Sequence, residues 1–292
     1  MDKSPRRLVI IMYCSRGPLR RAAAVSRLIV LAACVVLQCG FIARAAAQTP
    51  VDLELVLAVD VSLSMDLDEQ RVQRDGYIAA FRDAEIQAAI TSGPYGRIAV
   101  TYMEWAGPGS QSVVIGWTII DNVTAARAFA DKLEATPISR ARLTSISAAL
   151  KFSRDLFAGS GVQGLRRVID VSGDGPNNSG DPVVPVRDEL VAGGVVINGL
   201  PIMLNPSVST TFDISDLDQY YSNCVIGGSG AFMVPVKALA EFGSAIRRKL
   251  LLEISGLGPP ARVIPAQNIP ADGYDCLTGE KRWRWYFDRI PN

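Results

Sequence analysis

The sequence predicts an α/β fold: a doubly wound, mostly parallel sheet with one antiparallel edge strand and helices on both faces. Three observations carry this expectation. Short apolar runs of strand length alternate along most of the chain with stretches whose apolar residues recur at helical spacing. The turn Gly107-Pro108-Gly109 joins two such runs and is too short for a crossover, so those two runs pair antiparallel. Runs such as Leu53–Val59 are apolar and bounded by polar residues, as strands covered on both faces are. With 49% hydrophobic residues, the chain has the material for a full core.

Leu53–Val59 reads as the first strand. Asp66, with Glu69 three residues on, has the form of a capping box and opens a helix. Val72, Tyr77, Ile78, Phe81, Ile86 and Ile90 mark that helix's apolar face, and Ser92-Gly93-Pro94-Tyr95-Gly96 ends it. Arg97–Trp105 and Ser112–Ile120 are the hairpin strands. Val123–Ala135 is an amphipathic helix stopped by Pro137. Leu143–Phe157 is another, opened by Thr144 or Ser145 and closed by Gly159. Leu165–Val171 is a strand running into Ser172-Gly173-Asp174-Gly175-Pro176-Asn177-Asn178, whose two asparagines read as turn residues at a ligand rim. Val184–Ala192 is a helix, Val195–Leu200 a strand, Ile214–Tyr221 a brief helix, Gly230–Val234 a short strand and Lys237–Leu252 the last long helix. Past Gly256 the alternation stops. Residues 256–292 carry five prolines and the run Trp283-Arg284-Trp285-Tyr286-Phe287, which predicts an extended tail packing its aromatics back on the domain; the alternative is a partner-binding segment. The expected organisation is therefore a leader over 1–47, one domain over 48–255 and a tail over 256–292.

The leader has the parts of a secretory signal: Arg20, Arg21 and Arg27, the apolar run Leu28–Leu37, and Ala45-Ala46-Ala47 before a mature start near Gln48. Met12 is a plausible alternative start. An uncleaved anchor and a lipidated Cys39 are the other readings of this segment. The protein is thus expected to be exported, periplasmic or secreted, with no membrane contact except through an uncleaved leader. Residues 1–48 hold eight basic residues and one acid, of 30 and 29 in the chain, which leaves the remainder acidic by six charges. An acidic domain argues against nucleic acid as a partner. The chain has no histidine, which removes Ser-His-Asp and Cys-His catalysis and His-ligated zinc. Cys224 and Cys276 are the two cysteines outside the leader. In an oxidising compartment they are expected to pair; the alternative is two separate thiols.

Asp60-Val61-Ser62-Leu63-Ser64 sits where the first strand ends. In open α/β sheets ligands bind at the carboxyl ends of the strands. One carboxylate and two hydroxyls at alternate positions suit a hard divalent cation such as Mg²⁺. Thr144 and Asp174 add oxygen donors on two later loops. D-x-S-x-S, a later threonine and an aspartate in a loop often written T-D-G resemble the metal-ion-dependent adhesion site of von Willebrand factor A domains. The likeness covers about residues 52–255, and the chain looks most like secreted bacterial A-like proteins with no assigned function. The resemblance implies that Ser62, Ser64 and Thr144 hold Mg²⁺ or Mn²⁺ through hydroxyls, with Asp60 and Asp174 bound directly or through water. It implies that a partner protein's Glu or Asp fills the last position. Two positions depart from the pattern: Leu143 stands where many A domains have glycine, and Ser172 where threonine is common.

Other readings compete. Asp and Ser after a strand often only cap the next helix. The same two loops also resemble the D-x-D and G-D-G-x-x-D patterns of haloacid-dehalogenase-like phosphatases, but Ser62 and Asn178 replace two of the acids and Lys151 lies too early for the phosphate-binding lysine. In a scaffold reading, Arg140 or Arg142 neutralises Asp60 or Asp174 and no metal acts. The expectation is a binding module and not an enzyme.

Overall fold

The computed structural model describes residues 48–204, 214–257 and 273–289, all within the unit Gln48–Asn292. The leader readings and stretch 258–272 of the tail lie outside the described residues. In chain order the elements are β1 (Thr49–Val51), β2 (Leu53–Asp60), α1 (Leu67–Arg82), α2 (Ala84–Thr91), β3 (Ile98–Trp105), β4 (Gln111–Ile120), α3 (Val123–Ala135) and α4 (Ile146–Ala158). They continue with β5 (Val162–Gly164), β6 (Arg167–Gly173), α5 (Val183–Ala192), β7 (Val195–Pro201), α6 (Leu217–Tyr220), α7 (Phe242–Ser255) and α8 (Thr278–Phe287). Among the described residues no helix is long and apolar enough to cross a membrane.

The main sheet has the order β4-β3-β2-β6-β7, and β1 pairs with β5 in a small parallel ribbon. β2 is parallel to β3 and β6, β6 is parallel to β7, and β4 is antiparallel to β3 at the edge. The chain winds from β2 to one side and then returns to the other. Strand order therefore reverses beside β2, and a crevice opens where the loops leaving β2 and β6 part.

Side chains of a strand alternate between faces. Leu53, Leu55, Leu57 and Val59 of β2 pack with Tyr77 and Phe81 of α1, Phe129 of α3, and Phe242 and Leu250 of α7. Val56 and Ala58 point the other way, onto Ile146 and Leu150 of α4, Val183 and Leu190 of α5, and Tyr220 and Tyr221. Helices thus cover both faces, and all eight residues of β2 are buried.

The first face also buries charge. Lys249 of α7, fully buried, has its Nζ 2.6 Å from Asp170 of β6 and 2.5 Å from Glu253. Asn198 donates to Glu253 at 2.9 Å. Arg74 of α1 pairs with Glu104 of β3, both buried. Burial and the neighbouring Asp170 charge push the Glu253 carboxyl up to about 7, against the pull of Lys249 and Asn198.

Three expectations need correction. The helix after Asp66 is two helices, because the Asp83 side chain accepts from the Glu85 and Ile86 amides and caps a new one, α2. Gly230–Val234 is not a strand: Met233 and Val236 make only single bridges to Gly199 and Ile202, and Pro235 between them has no amide to donate. The tail is not extended over its last described part. Residues 278–287 lie in a stretch without proline and form α8, in which Trp285, Tyr286 and Phe287 remain exposed instead of packing on the domain.

Candidate metal centre

Asp60 is the last residue of β2 and is fully buried. Just beyond it, the Val61 amide donates to the Trp105 carbonyl at the end of β3 (2.9 Å), and the chain then turns sharply. The Ser62 amide donates to Asp60 Oδ1 at 2.7 Å, and the Met65 amide to the Ser62 carbonyl at 3.2 Å. An aspartate bonding the amide two residues on is the usual closure of such a turn. Asp66 then caps α1: its Oδ1 accepts from the Asp68 and Glu69 amides at 2.8 Å, and Glu69 Oε2 accepts from the Asp66 amide at 2.9 Å. The carboxylates of Asp66 and Glu69 thus serve helix capping.

The turn lines up three oxygens. Ser62 Oγ and Ser64 Oγ are 2.8 Å apart, and Ser64 Oγ donates to Asp174 Oδ1 at 2.8 Å. A hydroxyl has one proton. Ser64 spends its proton on Asp174, so Ser62 donates to Ser64, and lone pairs on both hydroxyls are left for another ligand. Asp174 follows the end of β6, and Gly173 before it has no side chain to intrude. The row runs from buried Ser62 to exposed Ser64 and half-buried Asp174.

Asp60 Oδ2 is buried with no hydrogen-bond partner. Burial pushes the Asp60 carboxyl up to about 7, although the hydrogen bond from the Ser62 amide favours its charged form. An unpaired lone pair on a buried carboxylate, beside two hydroxyls and a second carboxylate, fits the donor set of a hard divalent cation. Among the described residues no group of three or more Asp, Glu, Cys or His gathers, so hydroxyl oxygens are indispensable to any such site.

Thr144 is buried in the loop before α4. Its amide donates to Asn178 Oδ1 at 3.0 Å, and the Asn178 amide donates to its carbonyl at 2.9 Å. The Ala141 amide donates to the Val61 carbonyl (3.2 Å) and the Ser145 amide to the Ala106 carbonyl (2.9 Å). The Thr144 loop is thereby fixed to the β2, β3 and β6 loops. Asp60, Ser62, Ser64 and Asp174 form one hydrogen-bonded chain, whereas the backbone of Thr144 bonds Asn178, four residues past Asp174. Ser145, not Thr144, caps α4. Leu143 stands at φ 70°, the left-handed region that glycine prefers, and is the one non-glycine there among the described residues. Arg140 donates to the Met65 carbonyl at 2.7 Å, so its guanidinium is turned to that loop and not to Asp60.

Several supporting residues escaped sequence reasoning. Asn177 is fully buried: its Oδ1 accepts from the Ser147 amide (3.0 Å) at the start of α4, and its Nδ2 donates to the Asp181 carbonyl (3.1 Å) and Glu280 Oε1 (2.8 Å). Gln70 donates to the Ser62 carbonyl at 3.3 Å and Gln73 to Ser172 Oγ at 2.7 Å, so α1 holds both site loops from below. Their signal was present, since Gln70, Gln73 and Arg74 stand in helical register with the apolar Tyr77 and Phe81. Cys224 and Cys276 form a disulfide with Cα atoms 5.6 Å apart, tying the start of α8 to the turn after α6.

Solved structures share this fold. Proximal thread matrix protein 1 from the mussel byssus, with a zinc-occupied MIDAS motif, is 13% identical and superposes with a TM-score of 0.52 over 72% of this chain and 50% of its own. The pilus adhesin SpaC from Lactobacillus rhamnosus GG is 12% identical, with a TM-score of 0.53 over 72% of this chain and 31% of its own. A von Willebrand factor type A protein from Catenulispora acidiphila is 13% identical, with a TM-score of 0.49 over 70% of this chain and 43% of its own. The chain thus spans about half or less of the length of these proteins. No curated protein sequence matches the chain. The family model described as "Protein of unknown function (DUF1194)" matches residues 50–258, and the chain, whose fold is shared with the mussel and pilus proteins, belongs to that family.

Proposed function

We propose that this protein is an exported, metal-dependent recognition module that binds the acidic side chain of a partner protein, and that it is not an enzyme. The observation that carries the reading is the orphaned Asp60 Oδ2, buried beside the Ser62–Ser64–Asp174 row. Ser62, Ser64 and Thr144 would hold Mg²⁺ or Mn²⁺ through hydroxyls, and Asp60 and Asp174 through carboxylates. The bound ion would supply the positive charge that a partner's carboxylate coordinates. Neutral hydroxyls among the ligands keep that charge unquenched, which favours an anionic newcomer. The mussel protein of similar fold has a zinc-occupied MIDAS motif.

Two features weigh against the competing readings. Lys151 pairs with Asp181 at the surface, and the Ser62 hydroxyl does not exchange its proton near neutrality as a carboxylic acid would, which disfavours the phosphatase reading. Arg140 turns to the Met65 carbonyl, away from the ion pair with Asp60 that one form of the metal-free scaffold reading needs.

Calorimetry with Mg²⁺ and Mn²⁺ on the wild type and on Asp60→Asn tests the reading, with acetate added to supply a small carboxylate. Asp60→Asn keeps the acceptor for the Ser62 amide and removes the charge. Metal binding that acetate strengthens and Asp60→Asn abolishes, with unchanged circular dichroism, is the expected result. Wild-type protein that takes neither ion, with or without acetate, sinks the proposal.

A further inference from the structure

We infer that the outer face of α8 is a docking surface for an acidic protein segment, continuous with the metal centre. The helix is placed with unusual firmness for a tail. Its start is tied by the Cys224–Cys276 disulfide. Gly279 lies so close to the β6 loop that a Cβ there would meet the Asn177 carbonyl oxygen at 2.1 Å, and Glu280 turns inward to Asn177 Nδ2 at 2.8 Å. Asn177 is three residues from Asp174, a chain distance of at most about 11 Å. The tail helix therefore begins beside the candidate metal centre and is held there.

From this clamp α8 carries a basic face into solvent. Lys281 stands four residues and Arg282 three before Trp285, so these three share one side of α8, and Arg289 follows just past the end of the helix. All four are exposed, Trp285 by 51%. The Arg289 guanidinium lies 4.1 Å from the centre of the Trp285 ring, and Lys281 pairs with Asp275 at the surface. This basic face belongs to a chain that is acidic by six charges past residue 48, α8 included. An aromatic plate flanked by guanidinium groups is suited to carboxylates, which arginine binds through paired donors.

The occupant follows from charge complementarity. The inference rests on the proposed function for one half of its argument: the metal centre asks for a carboxylate, and the adjoining helix asks for more of them. A membrane surface would engage the opposite side of α8, where the rings of Trp283, Phe287 and Tyr286 touch in turn at 4.6 and 5.5 Å. The side of Trp285 presents cations instead. The ten residues of α8 add about 15 Å to the 11 Å from Asp174, so an extended acidic segment of about eight residues spans both parts.

The test uses the complete chain and a fluorescein-labelled Glu-rich peptide of about eight residues, read by anisotropy with and without Mg²⁺. Phosphatidylglycerol-containing vesicles run in parallel. The expected result is peptide binding weakened at least tenfold by Arg282→Glu combined with Arg289→Glu, and again by Trp285→Ala, with Mg²⁺ affinity unchanged in both variants. Peptide affinity indifferent to these changes overturns the inference, as does the absence of peptide binding by the wild type. Capture by vesicles without peptide binding overturns it in favour of lipid. Binding that is independent of Mg²⁺ and of Asp60→Asn, yet sensitive to Arg282→Glu and Arg289→Glu, upholds the helix surface and removes the metal reading instead.

Discussion

Asp60 and Gly173 fit each other across two strand ends: a Cβ added at Gly173 would lie 2.9 Å from Asp60 Oδ2, the atom left without a partner. The same Cβ would stand 3.0 Å from the Tyr221 hydroxyl and 3.3 Å from the Trp105 ring. Burial, with the charges of Asp60 and Asp174 adding to it, pushes the Tyr221 hydroxyl well above its usual range, so it stays neutral beneath the site. Glycine at 173 thus keeps a space into which the carboxylate faces. Gly173→Ala is expected to destabilise the protein by about 1–3 kcal/mol through overpacking. It is also expected to lower Mg²⁺ affinity more than tenfold. Urea unfolding and calorimetry measure the two separately. A variant with native stability and native Mg²⁺ affinity would show that the space has no role.

Leu143 tests the backbone beside the site. Its φ of 70° costs a branched or long side chain about 1–2 kcal/mol relative to the right-handed region. It also packs against Gly107, where a Cβ would meet Leu143 Cβ at 2.7 Å and the Arg142 carbonyl at 2.6 Å. Leu143→Gly removes the strain but gives the unfolded chain more freedom, at about 0.5–1 kcal/mol. The expected net change is a stabilisation of roughly 0–1 kcal/mol, with Leu143→Val less stable than wild type because branching at Cβ worsens the clash. Midpoints of chemical unfolding for the three proteins give the order directly. A loss above about 1 kcal/mol in Leu143→Gly would mean that the leucine's contacts outweigh its strain.

Much of the site was legible because its ligand candidates are local. Asp60, Ser62 and Ser64 belong to one turn between an apolar strand and a capped helix, and Asp174 stands at the end of another apolar strand. The antiparallel pair was legible for a related reason: the hairpin at Gly107–Gly109 allows one pairing only. The unread parts depend on partners distant in sequence. Lys249 and Glu253 look like a surface pair at helical spacing, and nothing near them announces Asp170 across the interface. Asn177 reads as a turn residue, yet its side chain bonds three separate segments. The tail was misread because four aromatics suggested burial, whereas a clamp at Cys276, Gly279 and Glu280 holds α8 and leaves its far end in water.

The buried Lys249 cluster predicts a pH dependence. The Glu253 carboxyl is pushed up to about 7 from an ordinary 4.5. Between those values the folded protein keeps a proton that the unfolded chain releases. Stability is then fullest below about 4.5 and falls as pH rises toward 7. Glu253→Gln retains an acceptor for Lys249 and Asn198 but does not titrate, so its stability is expected to change less over this window. Lys249→Met leaves Asp170 and Glu253 without their cation and is expected to cost about 3–5 kcal/mol near neutrality, with a smaller loss at pH 5. Urea midpoints from pH 5 to pH 7.5 in the presence of EDTA compare the three proteins. Parallel pH profiles for wild type and Glu253→Gln would assign the titration elsewhere.

Gly279 controls where α8 sits. With the Asn177 carbonyl only 2.1 Å from the position of a Cβ, Gly279→Ala cannot keep the contact: backbone faces backbone there, and neither side can rotate away. The helix must lift, and Asn177 then loses Glu280 as an acceptor while keeping Asp181 and Ser147. The disulfide still limits how far the helix travels, so the expected outcome is local: a loss of about 1–3 kcal/mol and faster proteolysis at the basic residues of 281–289. Reducing the disulfide in the wild type should give milder exposure, because the Gly279 and Glu280 contacts remain. Both treatments together should exceed their separate effects, since each then removes the last restraint left by the other. Limited trypsin digestion followed by mass spectrometry resolves the order, and equal cleavage in all four cases would mean that neither restraint holds α8 in place.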